Sequence, residues 1–206
     1  QLGMNFHNRS MPCFIETKRI VESGAIGEVT VIELEASPGN RPGGTLSSWR
    51  VDPLMSGLGT TMSIGVHVYD ILRYIMSTEV ELVSSIFDTP RNVMEQTNMS
   101  TLRFTNGAVA QINVNEKSPL PYNDFVIHGT KGRITGRGLT RSRAGGVIAV
   151  VDGDGKTHTQ EFPAINAHGA CVAAFSQQLL DGVPVTPSGI DGLRSMQLTE
   201  AMATSA

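Results

Sequence analysis

Residues 56–75 read SGLGTTMSIGVHVYDILRYI and predict an amphipathic helix around which the rest of the chain is organised. At helical spacing its side chains form an apolar stripe of Ile64, Val68, Ile71 and Ile75 and a neighbouring polar stripe of Ser63, His67, Asp70 and Tyr74. Such a helix buries one stripe and can present the other to a cleft, which makes His67 and Asp70 candidates for function. The alternative is a solvated or locally satisfied polar face, the usual state of such stripes.

Two glycines, Gly57 and Gly59, precede this helix. Glycine tolerates positive φ and the close approach of another group, and helix N-termini are frequent ligand sites. We therefore expect the backbone to be approached closely where the chain enters the helix.

Composition limits the kinds of partner. The chain has 206 residues, a formal net charge of -3 and 17% charged residues, which suits one large domain or two small ones. This balance disfavours nucleic acid and acidic membranes, and it favours a small molecule or a protein partner. Cys13 and Cys171 lie far apart without metal-ligand spacing, so we expect free thiols in a reducing compartment. No signal peptide or membrane anchor is visible, and the expected location is the cytoplasm.

The beginning of the chain predicts a strand, a helix and a second strand. Residues 2–6 are a short strand candidate, and Ser10 is expected to cap a helix that has Pro12 in its first turn and ends at Gly24. Residues 28–36 predict a strand with apolar side chains on more than one face, so we expect both faces to be covered.

A polar loop at residues 37–48 leads to Trp49 and Arg50. Trp49 is the single tryptophan of the chain. A large aromatic side chain in this position either lines a pocket or packs under the loop, and the sequence leaves both open.

After residue 76 the pattern changes from helical to alternating. Asn106-Gly107 stands between two alternating runs, which is a strong hairpin signal. The pattern predicts seven strands, at residues 79–89, 96–104, 108–115, 124–128, 133–136, 147–151 and 157–162.

Two helices are predicted to close the chain, at residues 167–180 behind an Asn166 cap and at residues 190–205 behind a capping box of Ser188 and Asp191. Strands that follow helices without βαβ alternation indicate an α+β fold. The predicted architecture is a broad, mostly antiparallel sheet with helices packed on one face.

We assign no metal site from the sequence. Asp152-Gly153-Asp154-Gly155 lacks the third acid and the bidentate glutamate of a calcium loop, and predicts a hairpin turn. The glycines at 43–44 and 136–138 do not stand between strand and helix as a dinucleotide fingerprint requires. The other histidines are scattered along the sequence, and we interpret each as a surface or satisfied core residue: His7, His128, His158 and His168.

Three separated stretches resemble one protein family in the right order. They are MNFHNRSMPCFIETKRIVESGAIGEV, SSWRVDPLMSGLGTTMSIGVHVYDILRYI and FSQQLLDGVPVTPSGIDGLRSMQLTEAMATSA. Together they resemble the Gfo/Idh/MocA family of NAD(P)-dependent oxidoreductases, with its N-R-x-x-P turn, W-R-x-D-P segment, H-x-x-D helix and two terminal helices.

This resemblance implies that residues 1–206 are a C-terminal substrate-binding and oligomerisation domain, with residues 1–9 as the end of a junction. It implies an upstream nucleotide-binding domain with a glycine-rich loop and an E-K-P motif, so NAD or NADP would bind the full-length protein and none would bind this fragment. The implied reaction is hydride transfer between nicotinamide and a sugar, a polyol or a related cyclic hydroxy compound. The implied assembly is a dimer through the sheet face.

Position by position, the resemblance makes His67 the catalytic residue. It makes Ser63, Trp49, Arg50, Asn8 and Arg9 substrate-binding residues. It assigns structural support to Asp70, Gly57 and Gly59, with Asp70 fixing the helix against neighbouring backbone. The ordinary histidine pKa of about 6.5 would suit a proton relay. Ser63 stands where the family has an acid, so the alternative is a catalytically silent binding or assembly module.

Overall fold

The structure is a computed structural model that describes residues 1–39, 49, 52–89, 94–140 and 145–206. Its strands are β1 Val29–Ala36, β2 Val80–Phe87, β3 Thr97–Phe104, β4 Val109–Asn115, β5 Phe125–Gly129, β6 Arg133–Arg137, β7 Gly146–Val151 and β8 Thr157–Phe162. They form one sheet in the order β2-β3-β4-β1-β5-β6-β7-β8. Strand β1 pairs parallel with β4, and the other pairings are antiparallel. The predicted fold class is confirmed, and strand ends move by one or two residues.

The helices are α1 Pro12–Glu22, α2 Pro53–Ser56, α3 Val66–Met76, α4 Ala167–Leu180 and α5 Gly189–Ser205. Helix α3 packs against α1 and α5, α1 approaches β7, and α5 lies against β2. One core joins α1, α3, α4 and α5 to the inner face of the sheet, and among its fully buried side chains are Phe14, Tyr69, Leu72, Phe104 and Ile112. The apolar stripe of α3 therefore faces the sheet, because only there can its side chains leave water.

Strand β1 is covered on one face, which makes the prediction of two covered faces wrong. Ile32 is 0% exposed and lies opposite Ala110 and Ile127, whereas Val31 is 41% exposed on the outer face. The strand alternates like a half-buried antiparallel strand, and its mixed outer face remains open in this chain.

The N-terminal prediction also needs correction. Residues 2–6 form no strand, because the ladder contact that they make with the described part of the chain is an isolated bridge between Gly3 and Ser188. Residues His7–Ser10 form a 3₁₀ turn, and Met11 rather than Ser10 is the N-cap of α1, without a side-chain hydrogen bond. Pro12 at the first position still starts the helix, since its fixed φ suits that position.

The approach to α3 is more structured than the glycines alone predict. Gly57 has φ 77° and ends α2, and a π-helical turn, Thr61–Gly65, then leads into α3. The Glu95 carboxylate accepts hydrogen bonds from the backbone N–H groups of Gly59 and Thr61, both at 2.8 Å. A Cβ on Gly59 would lie 1.9 Å from the Glu95 carbonyl oxygen, so glycine is required here.

The closing helices and the acidic turn follow their predictions. Asn166 Oδ1 accepts from the Gly169 N–H at 3.2 Å, and Asp191 Oδ2 accepts from the Ser188 N–H at 2.7 Å. Asp152 Oδ1 accepts from the Asp154 and Lys156 N–H groups at 3.0 Å, which closes the hairpin turn between β7 and β8. Across the described ranges, we find no helix with the length and apolarity to traverse a bilayer.

Candidate functional site

A cavity of about 470 Å³ opens between α3, the His7–Ser10 turn and the start of α4. Its polar lining is His7, Asn8, Ser37, Ser63, His67, Thr140 and His168, and its apolar lining includes Phe14, Leu34 and Ile71. We call it the histidine cavity. A few convergent polar groups on an otherwise apolar wall are typical of a small-molecule site.

Three histidines meet in this cavity. The ring centroids of His7 and His67 are 4.7 Å apart, and His168 stacks on His7 with 4.0 Å between centroids. His168 is an exposed residue, as predicted, whereas His7 is buried and its Nδ1 has no hydrogen-bond partner among the described residues. His7 comes from the N-terminal turn and His168 from the first turn of α4, so their meeting depends on tertiary packing and leaves no local signal in the sequence.

Burial keeps two of these imidazoles neutral. It lowers the pKa of His67 to about 4, and the charge of His168 adds to this shift. Burial, followed by the charges of His67 and His168, lowers the pKa of His7 to about 4. The expectation of an ordinary pKa for His67 is therefore wrong, and at neutral pH both rings can donate and accept hydrogen bonds without carrying charge.

Three buried atoms of the cavity's lining residues have no hydrogen-bond partner among the described residues: His7 Nδ1, His67 Nδ1 and Asn8 Oδ1. A buried polar atom without a partner costs about 1–3 kcal/mol, so native proteins rarely keep one without a reason. A ligand hydroxyl would donate to Asn8 Oδ1 and would pair with either state of the His67 ring. The hydrogen bond between such a hydroxyl and His67 would decide which ring nitrogen carries the proton.

Ser63 lies one helical turn before His67 and is exposed. Its Oγ donates to Glu116 Oε1 at 3.2 Å. Glu116 follows β4 and was not singled out from the sequence, because nothing local shows that the end of this strand reaches α3. A carboxylate thus stands next to Ser63, although the family's acid is absent from the helix itself.

Trp49 does not share the histidine cavity with His67. It is 50% exposed and lines a second cavity of about 300 Å³, which we call the tryptophan cavity. Ser63 lines both cavities. The prediction that Arg50 binds substrate falls on a residue outside the described ranges.

Arg9 lies behind the histidine cavity and binds two carboxylates. Its guanidinium contacts Asp70 through Nε–Oδ2 at 2.8 Å and Nη2–Oδ1 at 2.5 Å, and Nη2 also contacts Asp191 Oδ1 at 2.7 Å. These contacts attach the turn that carries His7 and Asn8 to α3. Asp70 therefore fixes its helix through a side chain, and the expectation that it binds neighbouring backbone is wrong.

The Arg9–Asp70 pair is buried, with side-chain exposures of 11% and 0%. Burial raises the pKa of Asp70 to about 6, and the Arg9 hydrogen bonds and charge oppose this rise. Asp70 is thus ionised at neutral pH and held in a bidentate pair, the geometry for which arginine is best suited.

Among the residues described, no three histidine, cysteine, aspartate or glutamate side chains are placed to hold a metal ion. The three rings of the histidine cavity are stacked or tilted against one another instead of converging on one point. Their arrangement places hydrogen-bonding groups along the wall of the cavity.

A family model described as the GFO/IDH/MocA C-terminal domain matches residues 14–135. The chain belongs to this family. The 1,5-anhydro-D-fructose reductase of Ensifer adhaerens is 24% identical over 198 residues, which cover 95% of this chain and 59% of the reductase. The levoglucosan dehydrogenase of Pseudarthrobacter phenanthrenivorans is 27% identical over 162 residues, covering 63% and 40%.

Solved structures share the fold of this Gfo/Idh/MocA domain. The aldose-aldose oxidoreductase from Caulobacter crescentus complexed with glycerol matches 100% of the chain and 62% of its own with a TM-score of 0.86 at 22% identity. A levoglucosan dehydrogenase in complex with NADH and levoglucosan matches 98% and 62%, with a TM-score of 0.82 at 24% identity. The chain thus spans about three fifths of the length of these relatives.

Proposed function

We propose that this chain is the C-terminal substrate domain of an NAD(P)-dependent oxidoreductase that transfers hydride between nicotinamide and a sugar, a polyol or a related cyclic hydroxy compound. The observation that carries the proposal is the histidine cavity, where His67 Nδ1 and Asn8 Oδ1 are buried without partners among the described residues. Adjacent hydroxyls of a polyol both donate and accept, as these two atoms require.

The substrate class also agrees with the relatives. Their names describe an anhydro sugar reductase, a levoglucosan dehydrogenase and an inositol dehydrogenase. All three names point to small, neutral, polyhydroxylated compounds. A cavity of about 470 Å³ lies within the range of small-molecule sites and accommodates a pyranose.

The described residues do not by themselves fit the dinucleotide. Where they run directly from a strand into a helix, at residues 163–166, the sequence is PAIN and lacks the glycine turn that receives a pyrophosphate. We propose that a nucleotide-binding domain precedes residues 1–9 and holds NAD or NADP. Related structures carry NADH or NADP.

In the proposed oxidation, NAD or NADP held by the preceding domain would supply the hydride acceptor. His67 would hold the reacting hydroxyl and receive its proton, which balances the step with one hydride and one proton lost by the substrate. A ring whose pKa is about 4 keeps an acquired proton only transiently, so His67 would relay it rather than store it. His7 and Asn8 would orient the remaining hydroxyls.

The test uses the full-length protein, a panel of pyranoses, anhydro sugars and cyclitols, and both NAD⁺ and NADP⁺. We expect cofactor reduction with at least one compound, and we expect His67→Ala to lower turnover about a hundredfold or more. His158→Ala is the matched control, because His158 is exposed beside Asp152 in the β7–β8 hairpin. Unchanged turnover in His67→Ala would overturn the catalytic role of His67.

A silent binding or assembly module is the second candidate, favoured by Ser63 in place of an acid. Calorimetry distinguishes the two, since a module would bind a sugar without any turnover in the presence of either cofactor. Glu116, hydrogen-bonded to Ser63, weighs against it because it restores a carboxylate to this side of the site.

We further propose a cytoplasmic homo-oligomer that assembles through the outer face of the sheet. Cys13 and Cys171 are free, which suits a reducing compartment.

The outer face exposes Val31, Leu82, Ile86, Met99 and Val109 among polar residues. A patch of this kind favours association.

In sedimentation, Ile86→Lys should weaken the affinity between copies of the chain about tenfold or more. Gln160→Lys, on the inward-facing register of β8, should leave this affinity unchanged. A monomeric wild-type protein would contradict the proposal.

A further inference from the structure

The tryptophan cavity adjoins the histidine cavity at the π-helical turn. Its apolar lining is Trp49, Met55, Met62 and Met94, and its polar lining includes Ser63 and Glu116. None of these apolar residues belongs to the histidine cavity. The π-turn therefore separates two chemically different spaces, one rich in imidazole and one rich in sulfur and indole.

The apolar lining suits a flat group. Methionine side chains are unbranched and polarizable, adapt to irregular shapes and contact aromatic rings favourably through sulfur. The half-exposed Trp49 offers a planar apolar surface on which a ring can lie. Three methionines around one tryptophan thus describe a space for an aromatic or similarly flat ring.

Hydrogen bonds to Glu95 hold the segment between the two cavities in place. Glu95 is 1% exposed, and both of its carboxylate oxygens accept backbone N–H groups, from Gly59 and Thr61. The Thr60 N–H donates to the Glu95 carbonyl oxygen at 3.0 Å. The carboxylate of Glu95 is therefore used to hold the turn, and the remaining lining of the tryptophan cavity is left to contact a ligand.

We propose that the tryptophan cavity is a subsite for the flat apolar group of a glycoside, an aryl aglycone, whose sugar ring occupies the histidine cavity. This inference rests on the proposed function, which places the sugar at His67. Ser63 lines both cavities and would lie beside the glycosidic linkage. The aglycone takes no part in the chemistry, and its contacts hold the sugar in register with His67.

Fluorescence tests the subsite without requiring turnover, because Trp49 is the single tryptophan of the chain. Phenyl β-D-glucopyranoside, titrated into the 206-residue chain under selective tryptophan excitation, should shift the Trp49 emission saturably. Methyl β-D-glucopyranoside and phenol should each bind about tenfold more weakly, because each lacks one of the two rings. Equal affinity for phenol and phenyl glucoside would overturn the two-cavity assignment, as would the absence of any saturable shift.

Two variants locate the effect. Met62→Ala should weaken phenyl glucoside about tenfold and leave methyl glucoside unchanged, since Met62 lines the tryptophan cavity. Leu54→Ala is the matched control, because Leu54 is 95% exposed and does not line it. Equal losses for both glycosides in Met62→Ala would overturn the subsite.

Turnover in the full-length protein separates this inference from the proposed function. The ratio of kcat/KM for phenyl over methyl glucoside should be about ten in the wild type and fall towards one in Met62→Ala. Oxidation of methyl glucoside with a ratio of one in the wild type overturns the subsite and leaves the oxidoreductase proposal standing. A Trp49 response without oxidation of any sugar supports the subsite and overturns the oxidoreductase.

Discussion

His67 and Asp70 are three residues apart on one polar stripe of α3, yet their surroundings differ completely. His67 faces a cavity, and its Nδ1 has no partner among the described residues. Asp70 is fully buried, and both of its carboxylate oxygens bind Arg9. The difference teaches that one stripe can carry both a group that faces a cavity and a side chain whose ion pair fixes the helix, because a helix meets different neighbours at successive turns.

The largest expected effect comes from removing the Asp70 carboxylate that pairs with Arg9. Asp70→Ala leaves Arg9 buried with Asp191 as its remaining carboxylate, and we expect a loss of about 3–5 kcal/mol in the free energy of unfolding, nearer the lower value because Asp191 stays. Urea denaturation measures the loss. Glu81→Ala is the control, since its pair with Arg103 is exposed and should contribute less than about 1 kcal/mol. Similar losses in both variants would contradict the structural role of Asp70.

A second test uses the pH dependence of stability, which distinguishes a buried neutral histidine from a solvated one. The folded-state pKa of His67 lies at about 4, below its unfolded value near 6.5, so the unfolded chain binds the extra proton first. The stability associated with the neutral ring is present above about pH 6.5 and is lost as pH falls towards 4.

The corresponding measurement compares the wild type with His67→Gln in urea at several pH values. The wild type should lose up to about 3 kcal/mol more than the variant between pH 6.5 and 4, because burial lowers the pKa of His67 to about 4 in the folded chain. Using the difference between the two proteins removes the opposing contribution of Asp70, whose raised pKa is present in both. Parallel pH curves would mean that His67 is solvated.

The smallest expected effect concerns Ser63, which stands between the two cavities. Ser63→Ala removes a neutral hydroxyl and its 3.2 Å hydrogen bond to Glu116, so on the proposed function turnover of the full-length protein should fall a few-fold to about tenfold. Ser63→Asp places a charge one turn before His67 and should raise the histidine's pKa, shifting the acidic limb of the pH–rate profile upward. An unchanged acidic limb would indicate that a charge at residue 63 does not affect the pKa of His67.

Much of the fold was predictable from local pattern. Alternation located the strands, Asn106-Gly107 located a hairpin, and the Asn166 and Ser188 caps located the closing helices, because each signal acts over a few residues. The strand expected at residues 2–6 was wrong since an apolar run pairs only where a partner edge is available. The π-turn before α3 was also missed, because it depends on Glu95 reaching across from a distant segment.

The candidate site was predictable only in part. His67, Ser63 and Asn8 were named from motifs, and the structure places all three in one cavity. His168, Glu116 and the methionines of the tryptophan cavity carried no such signal. Their roles depend on which elements pack together, and spacing along the chain does not encode that.

The sequence by itself determined most of the helices and strands, the packing of the helices on one face of the sheet and the identity of the α3 stripe, because hydrophobic periodicity and caps are local properties. Tertiary structure alone decided that Asp70 binds Arg9, that His7 and His168 join His67, and that burial lowers the histidine pKa values. The physical reason is that ion pairing, ring stacking and desolvation depend on distances between elements far apart in the chain.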